Sequence, residues 1–193
     1  MKRRGIATGI AIGFICLAAV ISSSLSFTSS GTSRVVVHTL ADRACEDLCL
    51  SALAEAMAVA GDAVATQDSV AGVPLADALR RKWPFEKLTV PTPAAIALGH
   101  DVYPGLKLEG VTLEAGTRSA PGSEDPLTGT VRLSVRASGR VAGAWAQLTL
   151  AQELPFRVRC TAHTQSGHRG TYMRFHWGEA FLAAHPLITE VKP

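Results

Sequence analysis

The spacing of apolar and polar residues divides the chain into an apolar segment, an amphipathic helix and a region of alternating residues. Residues 6–25 carry no charged side chain, and about 20 apolar residues are enough for a helix to cross roughly 30 Å of hydrocarbon. Lys2, Arg3 and Arg4 precede this segment, and basic residues of this kind stay on the cytoplasmic side. The pattern predicts a single-pass anchor over residues 6–27, with a cytoplasmic N-terminus and a periplasmic or surface-exposed C-terminal domain at a bacterial inner membrane.

A cleaved secretory signal is the alternative for this segment, because the order basic, apolar and then Ser-rich also fits one. The apolar part of a signal peptide usually spans about 7–15 residues, and no Ala-x-Ala cleavage site directly follows this longer segment. We therefore favour a retained anchor. Cys16 follows Phe14 and Ile15, which is not the small-residue context that lipid attachment prefers.

The next region has the pattern of an amphipathic helix. Residues 28–33 form a Ser/Thr/Gly tract of low helix propensity, where we expect the chain to loosen. Over residues 34–66, apolar residues recur at steps of three and four opposite charged ones, which predicts a helix with a narrow, Ala-rich stripe suited to packing on a sheet or another helix. The stripe consists of Leu40, Ala44, Leu48, Ala52, Ala56 and Val59. A short second helix is predicted over residues 74–82, ahead of Pro84.

Beyond Pro84 the apolar period changes to two, which indicates antiparallel strands. Several prolines between residues 84 and 126 confine much of that stretch to loops and edges. The fold class is therefore predicted as α+β, with a basic leader (1–5), the anchor, the tract, the stalk helix and a β-rich domain (67–193). The predicted strands include residues 106–113, 131–135, 148–150, 156–160 and 173–177, with a turn at 139–143 and a loop at 164–170.

Charge gives little reason to expect a nucleic-acid partner. The net charge is only +3, which is too small for strong attraction to a phosphate backbone. Five arginines would nevertheless form an outward stripe if their strands share a face, able to meet phosphate or acidic protein. A solvated strand face is the interpretation we favour for Arg132, Arg136, Arg157, Arg159 and Arg174.

Candidate chemistry is sparse. The chain lacks the commonest hydrolase, zincin and nucleotide-binding motifs. Cys45 and Cys49 share a helix face and are expected to pack as small apolar residues rather than bind metal, and Cys160 is a candidate disulfide partner for either. His163, His168 and His176 could serve a metal or proton transfer, but solvated loop histidines are commoner. We expect no cofactor, no metal and no enzymatic activity.

Gly5, Gly9 and Gly13 recur at every fourth residue of the apolar segment. They therefore lie on one helix face, where another helix could approach closely. The alternative is that glycine is simply frequent in membrane helices.

The N-terminal region resembles that of type IV pilin-like proteins. The resemblance rests on the basic leader ending in Gly5, the apolar helix, the Ser-rich exit and a helix containing Asp42-Arg43-Ala44 and Ala52-Leu53-Ala54-Glu55-Ala56. It covers residues 1–64 and extends in outline to a hairpin over residues 129–150. The nearest types are minor pilins of the PilX kind and the K-type minor pseudopilin of type II secretion.

The resemblance implies that a prepilin peptidase cuts after Gly5, that Ile6 becomes the mature N-terminus, and that the helix stays in the membrane or packs into a filament. The family usually has Glu at the fifth mature position, which is Ile10 in this chain. The K-type pseudopilin also lacks that Glu but has a larger helical insertion. We expect a non-enzymatic, pilin-like envelope subunit with the membrane and other envelope proteins as partners. The alternatives are a generic single-pass or exported envelope protein with a binding domain and, less favoured, an envelope enzyme.

Overall fold

The computed structural model describes residues 3–121, 126–183 and 188–190. The side chains of residues 3–15, 25, 27–30, 95–96, 98–100 and 188–190 lie outside that description. A long helix leads into an antiparallel sheet, which confirms the α+β class. The helices are α1 (Arg3–Thr66), α2 (Leu75–Arg80) and α3 (Pro93–Val102), and the strands are β1 (Ser69–Val70), β2 (Val73–Pro74), β3 (Leu88–Thr89), β4 (Leu106–Arg118), β5 (Leu127–Val141), β6 (Ala144–Gly167), β7 (Gly170–Leu182) and β8 (Ile188–Glu190).

The helix α1 is continuous through the Ser/Thr/Gly tract, so the expected loosening at residues 28–33 is wrong. On either side of the tract, hydroxyl groups bond back to carbonyls of the preceding turn, which satisfies them without breaking the helix. Ser24 Oγ donates to the Val20 carbonyl at 2.8 Å, and Thr39 Oγ1 donates to the Val35 carbonyl at 2.9 Å.

The main sheet is antiparallel, with the strand order β3-β4-β5-β6-β7 and with β8 paired to β6. The turn between β5 and β6 consists of Ala142 and Gly143, which both have positive φ (50° and 88°). This is the geometry that two-residue hairpins favour, and it confirms the turn predicted at residues 139–143.

The strand β6 is one strand of 24 residues, so the separate strands predicted at 148–150 and 156–160 are parts of one element. Pro155 lies inside it, and its carbonyl accepts a hydrogen bond from the Ala183 N–H at 2.9 Å. In an antiparallel sheet the N and C=O of one residue point to the same neighbouring strand. The nitrogen of Pro155, which has no hydrogen to donate, therefore points to the place between the end of β7 and the start of β8, where no ladder hydrogen bond is needed. The pairing of β5 with β6 therefore continues past Pro155.

The helix α3 lies in a region where mainly loops were predicted. It begins at Pro93, and the first position of a helix suits proline because no N–H is needed there. The Glu55 carboxylate accepts a hydrogen bond from the next residue, Ala94, at 3.1 Å. That partner is 39 positions away in the chain, so local pattern gives no sign of it.

The C-terminal half of α1 packs on the inner face of the sheet. Its contact stripe contains the fully buried Ala41, Ala52, Ala56 and Ala60, and small side chains of this kind let the helix axis lie close to the strands. Opposite them lie buried residues of β4 to β6: Val111, Leu113, Val131, Leu133, Val135, Leu154 and Phe156.

The predicted second helix is confirmed as α2. It lies beyond the C-terminus of α1 and is hydrogen-bonded to that end of the sheet. The Arg118 guanidinium donates to the carbonyls of Leu79 (3.2 Å) and Arg80 (3.4 Å), the last residues of α2, and lies 5.4 Å from the Trp83 ring centroid. Arg80 in turn donates to the Gly178 carbonyl of β7 at 2.6 Å. These contacts tie α2 to two strands.

Candidate functional site

The half of α1 that precedes the sheet carries large, exposed apolar side chains. Val20 is 61% exposed and Ile21 is 51% exposed, and the same holds for Leu17, Val36 and Leu40. Large apolar side chains that are grouped and exposed in this way are normally covered by lipid or by another protein.

This N-terminal helix could span a membrane by length and composition. Among the residues searched, the candidate span is Gly31–Thr66, in which a window of 18 residues has a mean hydropathy of 1.6. Of that window, 44% is buried inside the protein, as in the core helix of a soluble domain. Much of the predicted anchor at 6–27 lies where side chains are not described. Within it, the side chains of residues 16–24 and of Ser26 are described, and they are exposed.

The residues predicted for processing and helix contact, Gly5, Ile6, Gly9 and Gly13, lie in the helical backbone of α1. Their surroundings, and those of Ile10, lie outside the described side chains, and Lys2 lies outside the described residues altogether. Cleavage after Gly5 and the glycine contact face therefore stay predictions.

Cys45 and Cys49 lie one turn apart on the buried face of α1. The Cys45 thiol lies 3.4 Å from the Ala137 carbonyl and the Cys49 thiol 3.8 Å from the Leu148 carbonyl, and these two carbonyl residues are partners in the β5–β6 register. A hydrogen bond between the thiols lowers the pKa of Cys45, and the same bond together with burial raises the pKa of Cys49. The pair joins the helix to the sheet.

Cys160 is also buried, on the inner face of β6, but lies twelve residues further along that strand than Leu148. At about 3.3 Å per residue this separation is about 40 Å of strand, whereas bridged cysteines have Cα atoms within about 7 Å of each other. A bridge from Cys160 to Cys45 or Cys49 does not fit this fold.

A cleft of about 570 Å³ opens beside Cys45, between α1 and β6. Its described lining includes the carboxylates of Asp42 and Glu46 together with Gln147. A neighbouring cation or histidine usually stabilises a reactive thiolate, and none lines the described part of this cleft. Asp42 opposes ionisation of Cys45, although the hydrogen bond to Cys49 has the larger, opposite effect on the pKa of Cys45. The cleft is poorly suited to thiolate chemistry.

The five arginines of the predicted stripe are all exposed, but they fall into two groups. Arg132 lies between Glu114 and Glu153 in the strand register, and Arg136 Nε lies 2.7 Å from a Glu109 oxygen. These two arginines belong to a solvated face of balanced charge, as the favoured interpretation expected.

Arg157, Arg159 and Arg174 form the second group, on β6 and β7. Arg157 lies over the Phe181 ring at 5.8 Å, and Glu179 shares a shallow cleft with Arg157 and Arg159. Arg174 faces His163 across the two strands. Residues 154–178 contain no Asp or Glu, while they include four arginines and three histidines, so this end of the sheet carries net positive charge.

The strands β6 and β7 continue beyond Cys160 and Trp177 as a two-stranded arm, residues 161–176. Pairing runs without a break from Thr161↔His176 to Gly167↔Gly170, so the loop predicted at residues 164–170 is mostly strand, turning at residues 168 and 169. Seven pairs at about 3.3 Å per residue make the arm about 23 Å long. Each residue of the arm is exposed except Phe175, which is half-buried.

Alternation gives the arm two faces. The outer face carries His163, Arg174, Gln165, Tyr172 and His176, and the His163 and His176 rings meet edge to face at 5.0 Å. The inner face carries Ala162, Thr164, Met173 and Phe175. The structure thus brings His163 and His176 together and leaves His168 at the turn.

Tyr172 is 54% exposed and Met173 is 58% exposed. Neither of these apolar residues was predicted to belong to a site. The signal that could have found the arm is the absence of acidic residues over 154–178. The arm lies at the end of the sheet away from the exposed half of α1. Cys49 contacts Leu148 at one end, whereas Arg80, beyond the C-terminus of α1, contacts Gly178 near the base of the arm.

Within the described part of the chain, no group of three or more His, Cys, Asp or Glu residues is placed to hold a metal ion. No family model, no curated protein and no solved structure matches the chain. A functional assignment therefore rests on the residues and geometry described above.

Proposed function

We propose that this chain is a non-enzymatic, membrane-anchored, pilin-like minor subunit or component of a bacterial envelope assembly, of the type IV pilus or type II secretion kind. The observation that carries the proposal is the division of α1 into two halves. One half is the central helix of the β domain, and the other presents exposed apolar residues such as Val20 and Ile21. A free apolar half suits a subunit that lies in lipid or packs against the helices of neighbouring subunits.

The length of the free half is consistent with this role. Residues 6–40 correspond to about 50 Å of helix, whereas the hydrocarbon layer is about 30 Å thick. A helix of that length can cross the membrane and still hold the β domain clear of the lipid head groups. In the proposed arrangement Arg3 and Arg4 lie on the cytoplasmic side of the inner membrane before cleavage, and the sheet lies in the periplasm or at the surface.

The proposal includes cleavage after Gly5 and a mature chain that begins at Ile6. Gly9 and Gly13 would then supply the surface for close helix contact. Ile10 replaces the Glu that usually pairs with the terminal amine of a neighbouring subunit, which favours a position at the end of an assembly rather than within its shaft.

The test is the mass of the mature N-terminus. The full chain is expressed in a bacterium with and without a prepilin peptidase, recovered from membranes and measured by mass spectrometry. We expect a chain that begins at Ile6 only when the peptidase is present. Gly5→Val should abolish processing, and the matched Gly9→Val should leave it intact.

Two results would contradict the pilin-like role. An intact Met1 in the presence of the peptidase would leave a membrane anchor without pilin-type processing. A cut within residues 24–30 would instead show a cleaved secretory signal. Either result would favour the alternative, an envelope protein with a binding domain. In that case the exposed arm at residues 161–176 is the feature of the domain that suits binding.

A further inference from the structure

We propose that the arm at residues 161–176 is a docking site for an extended, acidic segment of another protein, which adds as a strand to the outer edge of β7. This inference concerns the sheet and does not depend on the role proposed for α1. It rests on the free edge of β7, the charge of the outer face and the absence of acidic residues over residues 154–178. Glu179, which shares a cleft with Arg159, lies just beyond the free edge.

The edge is available for pairing. Among the described residues β7 is the last strand in the sheet order, and β8 lies beside β6 rather than beside β7. Arg80 occupies the Gly178 carbonyl, so the free edge runs over residues 170–177. A row of unpaired backbone groups is a template for an added strand. The edge contains neither proline nor an acidic residue that would discourage such pairing.

The outer face offers charge that a strand on this edge could reach. Arg174 belongs to β7 itself. The side chain of Arg159 lies across Gly178, where an added Cβ would be 3.1 Å from Arg159 Cβ and 3.3 Å from its Cδ. Because glycine leaves that space open, the aliphatic part of the Arg159 side chain runs from β6 toward β7.

Alternation then defines the partner. Successive side chains of an added strand point to opposite faces, so carboxylates at every second position would all face Arg174 and Arg159. The residues between them would cover the inner face beside Met173 and Phe175. An acidic strand with apolar residues in alternate positions meets both requirements.

The same charge disfavours a second copy of this strand. Pairing two copies of β7 edge to edge would bring two Arg174 side chains onto one face, and like charges on adjacent strands are destabilising. Nucleic acid could bind the arginines but could not form a strand ladder with the backbone edge. Hydrogen bonding at the edge therefore distinguishes a polypeptide partner from a polyanion.

The experiment measures binding of a fluorescein-labelled nine-residue peptide of alternating Glu and Val to the full chain in neutral detergent, by fluorescence anisotropy. Matched probes are the Lys/Val peptide, a Glu/Val peptide N-methylated at alternate residues, and polyphosphate of equal charge. Protein variants are Arg159→Glu with Arg174→Glu, and Arg140→Glu as a control at the other end of the sheet, where Arg140 is exposed.

We expect the Glu/Val peptide to bind and the Lys/Val peptide not to bind. The double charge reversal should weaken binding about tenfold or more, N-methylation should weaken it by a similar factor, and Arg140→Glu should leave it within about twofold. The proposal is overturned if the Glu/Val peptide does not bind, if the N-methylated peptide binds equally well, if the double variant binds unchanged, or if polyphosphate binds as tightly as the peptide. Because N-methylation alters only the ligand, the test of the edge does not depend on how any protein variant folds.

Discussion

The two halves of α1 belong to one unbroken helix, yet one half is a core element and the other is uncovered. From Ala41 onward the apolar stripe lies against the sheet, whereas Leu17, Val20 and Ile21 have no protein surface over them among the described residues. Both halves are rich in apolar residues. The difference teaches that hydrophobicity alone does not identify the core of this protein, because a neighbouring sheet is what turns an apolar helix into a buried one.

The same contrast recurs along β6. In its first part β6 has β5 on one side and β8 or β7 on the other, and α1 packs on its inner face. Its last part forms the exposed arm. Two regions, the first half of α1 and the arm, therefore extend from one packed body with opposite chemistry, apolar in one case and basic in the other. We propose that each is completed by something outside the chain.

The largest effect is expected where β6 is covered. Phe156 is buried and contacts Trp83, with ring centroids 5.5 Å apart, so Phe156→Ala should lower the free energy of unfolding by about 3–5 kcal/mol. Tyr172→Ala, on the arm, should change it by less than about 0.5 kcal/mol. Urea unfolding of the full chain in mild detergent, followed by tryptophan fluorescence, measures both. Equal losses would mean that the arm is packed.

A second pair compares the halves of α1 with one substitution. Leu48 is fully buried against the sheet, and Leu40 is half exposed. Leu48→Ala should cost about 2–5 kcal/mol because it leaves a cavity, whereas Leu40→Ala should cost less than about 0.5 kcal/mol. The same unfolding assay applies. A large loss at Leu40 would show that this part of α1 is covered in the folded protein.

The smallest of the three effects comes from adding volume. Ala52 has no exposed surface, so Ala52→Leu should force α1 away from the strands and cost about 1–3 kcal/mol. Ala19→Leu places the same side chain on the exposed half and should be neutral for unfolding of the β domain. If Ala52→Leu were also neutral, the close contact between helix and sheet would be wrong.

Much of the fold could be predicted from local pattern. The change of apolar period from three or four to two separates α1 from the sheet, and Pro74 and Pro84 bracket α2. The turn at Ala142 and Gly143 was expected within residues 139–143. The site was predicted less completely, because the arginines were recognised as exposed but their division into neutralised and unneutralised groups depends on strand register.

The sequence by itself determined the apolar N-terminal helix, the Ala-rich stripe from Ala44 to Ala56 and the alternation of the strands, since these follow from side-chain periodicity along one element. Leu40 was predicted in the same stripe but is half exposed. Only the tertiary structure decided what required distant partners. Glu55 accepts a hydrogen bond at the start of α3, and Arg118 donates one to the last turn of α2. Glu114 and Glu153 flank Arg132 in the strand register. Cys160 lies far along β6 from the position that Cys49 contacts. The arm also depends on tertiary structure, because its exposure follows from where the covering helix ends and not from any property of residues 161–176 alone.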